Sequence, residues 1–231
     1  MNLLTPDAEP GRPFWWDGVT WPEIGGDLPE KTDLLVIGAG YTGLSAAIAA
    51  HDAGARVVVI DSGKPGEGAS TRNGGMIGAH PRLGWDTLAA RYGASVADGL
   101  FAEATEALNW VRDTISREEM NCDFEECGRL QLAYTDAHYS EQKKLADQLA
   151  LKGAGPCRIL NRDELHSEIK TPLYKGGLLF ERHSSVDPAK YLLGFLQAAL
   201  RRGVVVLGNC PAVKTVKVSE GQRVSTPKGA I

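Results

Sequence analysis

Gly38, Gly40 and Gly43 stand in the pattern G-x-G-x-x-G, directly after the apolar run at residues 33–37 and ahead of a helix-like stretch that starts near Tyr41. In that context each glycine has a separate duty: Gly38 makes the tight turn, Gly40 lets the backbone come close to a pyrophosphate, and Gly43 lets helix and strand pack closely. Ala47, one helical turn further on, extends the close packing. Free backbone N–H groups and the positive end of the helix face the phosphates, so the site needs no lysine. Asp61 ends the next apolar run, 18 residues after Gly43, and Ser62 follows it. A carboxylate there accepts hydrogen bonds from both ribose hydroxyls of an adenosine, and its charge repels a 2′-phosphate. The pattern disfavours NADP and leaves NAD and FAD. Residues 66–78, GEGASTRNGGMIG, form a second small-residue loop that a simple NAD domain has no need of.

The elements that must position these residues read as a βαβ unit. The run DLLVI predicts a strand buried on both faces, a helix follows over residues 41–53 with Gly54 as its stop, and RVVVI predicts a second buried strand. Residues 1–32, rich in Pro, Gly and Trp, read as an extended lead segment whose Trp15, Trp16 and Trp21 glue it to the main domain. Past residue 85 two helical stretches separate near Gly93, residues 122–136 alternate around Gly128 as a β-hairpin, and residues 138–153 read as a polar-faced helix. The stretch at 174–188 supplies a returning strand, Pro188 opens a helix that stops at Gly203, VVVLGN is a third buried strand, and residues 212–226 form a hairpin. The fold class is α/β: a Rossmann-type domain at 33–84 and 186–231, interrupted at 85–185 by part of an α+β substrate domain.

Composition sets outer bounds. The chain has 231 residues, 43% hydrophobic and 23% charged, with a net charge of -4. Scattered cations on an acidic background argue against nucleic acid or an anionic membrane as partner and favour a small molecule. Four cysteines without CxxC or Cys/His spacing read as free thiols, which suits a reducing cytosol, and no metal site is expected. The start of the chain lacks a signal-peptide pattern and no apolar run reaches membrane-spanning length, so the expected location is cytoplasmic. No nucleophile elbow, Walker A motif or HExxH is present. His183, His51 and His80 are weaker candidates, the first for a place near a substrate and the last for one near a cofactor ring.

The fingerprint residues Gly38, Gly40, Tyr41, Thr42, Gly43 and Asp61, followed by Gly68, Ala69, Ser70, Arg72, Asn73, Gly74 and Gly75, resemble the D-amino-acid-oxidase-like family of FAD-dependent oxidoreductases, most closely its γ-glutamylputrescine-oxidase-like branch. The Val186 to Pro188 stretch and the strand around Val213 match as well. The resemblance implies FAD as cofactor, contacted by Ser70, Arg72, Asn73 and Gly74, with Arg72 stabilising negative charge on the reduced flavin or holding the turn. Val213 matches a position whose backbone reads the adenine ring, though a core valine fits the letters equally. The implied reaction is oxidation of an amine or amino acid by hydride transfer to flavin N5, leaving an imine; the catalytic residues are unknown. Alternatives are a cofactor-binding fragment or subunit without turnover, and an NAD-dependent dehydrogenase. Family members are longer, so a missing C-terminal half is also expected.

Overall fold

The computed structural model describes residues 11–231. In chain order it contains β1 (Leu34–Ile37), α1 (Tyr41–Asp52), β2 (Val57–Ile60), β3 (Met76–Ile77), α2 (Trp85–Tyr92), α3 (Ala94–Arg117), β4 (Arg129–Ala133), α4 (Asp136–Leu151) and β5 (Cys157–Asn161). There follow α5 (Arg162–Glu168), β6 (Gly176–Phe180), β7 (Ser184–Ser185), α6 (Pro188–Arg201), β8 (Val205–Leu207), β9 (Lys214–Val218), β10 (Gly221–Thr226) and β11 (Gly229–Ala230). These divide into two compact units: residues 11–74, 117–122 and 187–231 form the first, and 75–116 with 123–186 the second. The first crossing falls at Gly74, ahead of the position near residue 84 read from the sequence.

In the first unit β1, β2 and β8 make a parallel sheet with β2 in the centre, in the registers Leu34↔Val57 and Val58↔Val205. All four residues of β2 are buried, as a central strand covered on both faces requires. The expectation that β1 is equally buried needs correcting. It is the edge of the sheet, and Leu34 and Ile37 are 39% and 59% exposed, because among the described residues no strand pairs with its outer side.

α6 forms because Asp187 caps it, its carboxylate accepting from the backbone N–H groups of Ala189 and Lys190, with Pro188 pre-set at the first turn. Most of its circumference is buried, including Ala189, Leu192, Phe195, Leu196 and Ala199. It packs on α1, where Leu44, Ala47 and Ile48 point inward. Each fully buried leucine there is worth about 1.5–3 kcal/mol of hydrophobic stabilisation. Near the end of α6 the buried Glu118 carboxylate is held by Arg202 through two hydrogen bonds of 2.9 Å, which keep its pKa below the usual carboxylate value. β9, β10 and β11 follow as an antiparallel meander.

The second unit is built on the antiparallel sheet β4-β6-β5, with a core of Leu88, Ala97, Phe101, Leu149, Leu178 and Phe180. Here the expected hairpin around Gly128 is corrected. The residues before Gly128 contribute only an isolated bridge, Glu125↔Ser185, and β4 takes β6 as its partner from Arg129↔Phe180 to Ala133↔Gly176. Gly128, at φ +70°, turns the chain, and its N–H donates to the His183 carbonyl at 2.8 Å. β5 and α5 were not anticipated, although Asn161 and Glu164 form a full capping box at the start of α5. All four cysteines are free thiols. No helix among the described residues is long and apolar enough to cross a membrane.

Candidate cofactor site

Two loops of the first unit converge on one cleft of about 250 Å³, lined by Ala39, Gly40, Asp61, Ser62, Gly63, Gly66, Glu67, Gly68, Ser70 and Leu192. The first loop leaves β1 at Gly38, whose φ of +106° only glycine adopts readily. Gly38 N–H donates to Ile60 O at 2.7 Å, so the turn is tied to the end of β2. Gly40 is the N-cap of α1 and offers no side-chain cap. The helix therefore presents its N-terminal N–H groups and positive dipole end to whatever fills the cleft. A side chain at Gly40 would enter the cleft and meet only Ser70 Oγ, at 2.9 Å from the added carbon. A side chain at Gly43 would instead fall on the carbonyl oxygen of Gly38, with Val36 Cγ1 at 3.2 Å. The three glycines thus do three different things: turn, opening and helix–strand contact.

Asp61 stands where β2 ends and stitches both turns together. Its Oδ2 accepts from Ala39 N at 2.7 Å and its Oδ1 from Gly63 N at 3.0 Å. Each carboxylate oxygen has a further lone pair, so the group can still accept two ribose hydroxyls. The second loop approaches through Ser70, whose Oγ accepts from Tyr41 N at 3.3 Å.

Other residues singled out from the sequence have different surroundings. The Tyr41 ring lies against Tyr191 and Phe195, centroids 5.1 and 6.4 Å away, and its hydroxyl donates to Pro188 O at 2.8 Å. Burial pushes its phenol up to about 12. It fastens α1 to α6. Thr42 is exposed and Gly74 lies in open space, whereas Ser62, also exposed, belongs to the lining of the cleft. Arg72 donates through Nε to Glu67 O at 2.9 Å and through Nη1 to Gly11 O at 2.6 Å, with its guanidinium carbon 4.9 Å from the centre of the Trp16 ring. These bonds hold the turn, one of its two implied roles. Asn73 likewise donates to the carbonyls of Ser70 and Ala69, at 2.9 and 3.3 Å. Val213 is 69% exposed and its N–H donates to Ser225 O at 2.8 Å, so it is not a core valine.

In the second unit, His183 is buried beside Phe180, ring centroids 4.7 Å apart, and His80 stacks on the same ring at 5.0 Å. Arg129 lies 4.4 Å from the centre of that ring. Burial, then the charges of Arg129 and His80, push His183 down to about 4. The His183 ring is thus held among aromatic rings of the second unit, its Nε2 accepting from Ala79 N at 3.4 Å. His51 lies in the last turn of α1, away from the cleft residues. Among the described residues no group of His, Cys, Asp or Glu could hold a metal ion.

The cleft has the features that the adenosine and pyrophosphate of FAD require: an opening that a Cβ would fill, a helix N-terminus whose N-cap residue, Gly40, has no side chain, and an oriented carboxylate. Residues 33–231 match the family described as FAD dependent oxidoreductase. The chain is 28% identical over 199 residues to the gamma-glutamylputrescine oxidoreductase of Escherichia coli, covering 86% of this chain and 46% of that protein. It is 27% identical over 203 residues to a probable oxidoreductase OrdL of Haemophilus influenzae, covering 87% and 47%. The chain thus spans about half the length of the curated relatives it matches. Among solved structures, L-amino acid deaminase from Proteus vulgaris superposes with a TM-score of 0.78 at 21% identity over 92% of this chain and 48% of that one. Glycine oxidase from Geobacillus kaustophilus gives 0.72 at 17% identity, over 88% and 53%. With a fingerprint turn, an oriented carboxylate and a family match that runs from the first strand of the sheet to Ile231, the chain belongs to the FAD-dependent oxidoreductases of the DAO family.

Proposed function

We propose that this chain holds the adenosine and pyrophosphate of FAD in the cleft between the glycine turn and the second loop, within an enzyme that oxidises an amine or an amino acid. One observation carries the reading: Ala39 and Gly40 of the G-x-G-x-x-G turn, Asp61 and Ser70 line a single cleft at the N-terminus of α1. The substrate class rests on the names of the proteins it resembles, a gamma-glutamylputrescine oxidoreductase, an L-amino acid deaminase and a glycine oxidase. When bound, the flavin would supply the two-electron acceptor, at N5, for oxidation of the carbon that bears the nitrogen to the level of an imine.

The chain's own residues bind and orient. Gly40 admits the pyrophosphate, and the N-terminal amides of α1 neutralise part of its charge. Asp61, already fixed by Ala39 N and Gly63 N, directs its remaining lone pairs at the ribose and repels a 2′-phosphate. Ser70, anchored to Tyr41 N, closes the cleft from the side of the second loop. Arg72 and Asn73 keep that loop in shape.

The test has two stages. Calorimetric titration of the purified protein with FAD, NAD and NADP should rank FAD first and NADP last; preference for NADP would overturn the assignment of Asp61. The protein that carries this chain, loaded with FAD, is then mixed anaerobically with amines, polyamines and amino acids. Bleaching of the flavin by one of them supports the substrate class, and a flavin unchanged by all of them refutes it.

A further inference from the structure

The lead segment precedes the residues that the family match covers, which begin at residue 33. Its bonds are concentrated on the outer side of the second loop. Trp16 Nε1 donates to Thr71 Oγ1 at 2.9 Å, and Thr71 is fully buried and donates in turn to Gly66 O. Trp15 Nε1 donates to Asn73 O at 2.9 Å. Arg72 reaches back to Gly11 O and lies over the Trp16 ring. The Trp21 ring covers Gly66 so closely that a Cβ there would sit 2.6 Å from its Cη2 atom. The loop therefore has two faces. Gly66, Glu67, Gly68 and Ser70 line the cofactor cleft, while Gly66, Thr71, Arg72 and Asn73 are held by the tryptophans and the backbone of the lead segment.

A glycine-rich loop left alone has a high conformational entropy, and ordering it on binding would weaken a ligand by that cost. Fastening one face in advance removes most of the cost. We propose that residues 11–32 of the lead segment are a latch that holds residues 66–73 in the cofactor-binding shape before FAD arrives, with Trp15 and Trp16 as positioning residues that themselves stay outside the cleft. The proposal rests on the cleft being the FAD site, and it makes one statement independent of it: the loop is ordered by the latch in the protein without FAD.

The experiment is amide hydrogen exchange on the FAD-free protein, paired with FAD titration, for wild type, Trp16→Ala and Trp16→Phe. Trp16→Ala removes both the N–H bond and the ring under Arg72. It should speed exchange of residues 66–73 at least tenfold, leave β1 and β2 protection unchanged, and weaken FAD by about tenfold or more. Trp16→Phe keeps a ring but not the N–H, and one neutral hydrogen bond predicts about a fivefold loss of affinity. Loop exchange that is unchanged in both variants overturns the latch. Faster loop exchange with unchanged FAD affinity overturns its coupling to the cofactor. If Trp16→Ala does not fold, Trp16→Phe decides by the same two readouts. Failure of the wild type to bind FAD would overturn the cofactor reading, and exchange in the FAD-free protein would still decide whether the lead segment orders the loop.

Discussion

Gly40 and Gly43 are three residues apart and look alike in the sequence, yet the structure separates what a methyl group would do at each. At Gly43 the added Cβ would overlap the Gly38 carbonyl oxygen, with Gly38 C at 3.1 Å and Val36 Cγ1 at 3.2 Å. None of the nearest atoms belongs to a long flexible side chain, so α1 must move away from β1 by on the order of 1 Å to restore ordinary contact, in an interior packed to crystal-like density. Overpacking of this kind costs about 1–3 kcal/mol and sometimes more. With backbone as the obstacle, about 3 kcal/mol is expected for Gly43→Ala. For a domain of this size that lowers Tm by roughly 6–12 °C. At Gly40 the backbone already has φ -86°, which an L-residue adopts freely, and the single neighbour is the rotatable Ser70 hydroxyl. Gly40→Ala should therefore cost less than about 1 kcal/mol of stability, while its methyl group occupies the mouth of the cleft where the pyrophosphate must lie. Thermal melts of the FAD-free variants and titration with FAD form the assay: Gly43→Ala loses stability, and Gly40→Ala keeps its Tm and loses the cofactor. The reverse pattern, or wild-type FAD affinity in Gly40→Ala, would refute the reasoning.

Replacing Asp61 with Ala should weaken FAD by about 1.5–3 kcal/mol, the worth of hydrogen bonds to a charged group, and also lower the stability of the FAD-free protein, because Ala39 N and Gly63 N lose their acceptor. Calorimetry and melts read the two losses separately, and unchanged FAD affinity would remove Asp61 from the site. His183 gives a pH dependence. Its folded pKa, about 4, lies below the unfolded value near 6.5, so between these values the unfolded chain binds more protons and stability falls as pH falls. Its share between pH 7 and pH 5 is about 2 kcal/mol. Urea melts should show that slope in the wild type and a shallower one in His183→Phe, which keeps a ring beside Phe180; equal slopes would contradict the assignment.

What the sequence made legible was local. β1, α1 and β2 are apparent because glycine spacing, an apolar run and a carboxylate all act within one short stretch, and the break at Gly93 is apparent because its φ of +90° demands glycine. Pairing was less legible. Alternation around Gly128 identifies β4 as a strand but says nothing of its partner, which proved to be β6 rather than the residues just before the turn. The same holds at the cofactor site. Tyr41 sits within the fingerprint, but its hydroxyl is used 147 residues away at Pro188. Arg72 is visibly a charge in a small-residue loop, but only tertiary structure shows that it turns outward to Gly11 and Trp16. The capping box of α5 is legible in the letters of Asn161 and Glu164, but the helix it opens is only seven residues long and leaves little periodic pattern.

The short pairing of β3 with β7 bears on how the chain folds. Met76 faces Ser185, Ile77 faces Ser184, and Val186 N–H donates to Gly75 O at 2.9 Å, so the second unit begins and ends at neighbouring points. The parallel sheet of the first unit must join Val58 to Val205 across that whole insertion. Closing a flexible loop of about 145 residues costs roughly 4 kcal/mol in chain entropy. Once the second unit has folded on its own core, β3 and β7 hold its ends together and most of that loop is already closed. As the chain leaves the ribosome the second unit is complete at Val186, before α6 and β8 exist to finish the first. An inserted unit whose ends are held together turns a slow, long-range strand pairing into a nearly local one, so mutations that loosen those ends are expected to slow refolding of the nucleotide sheet in stopped-flow measurements without touching it.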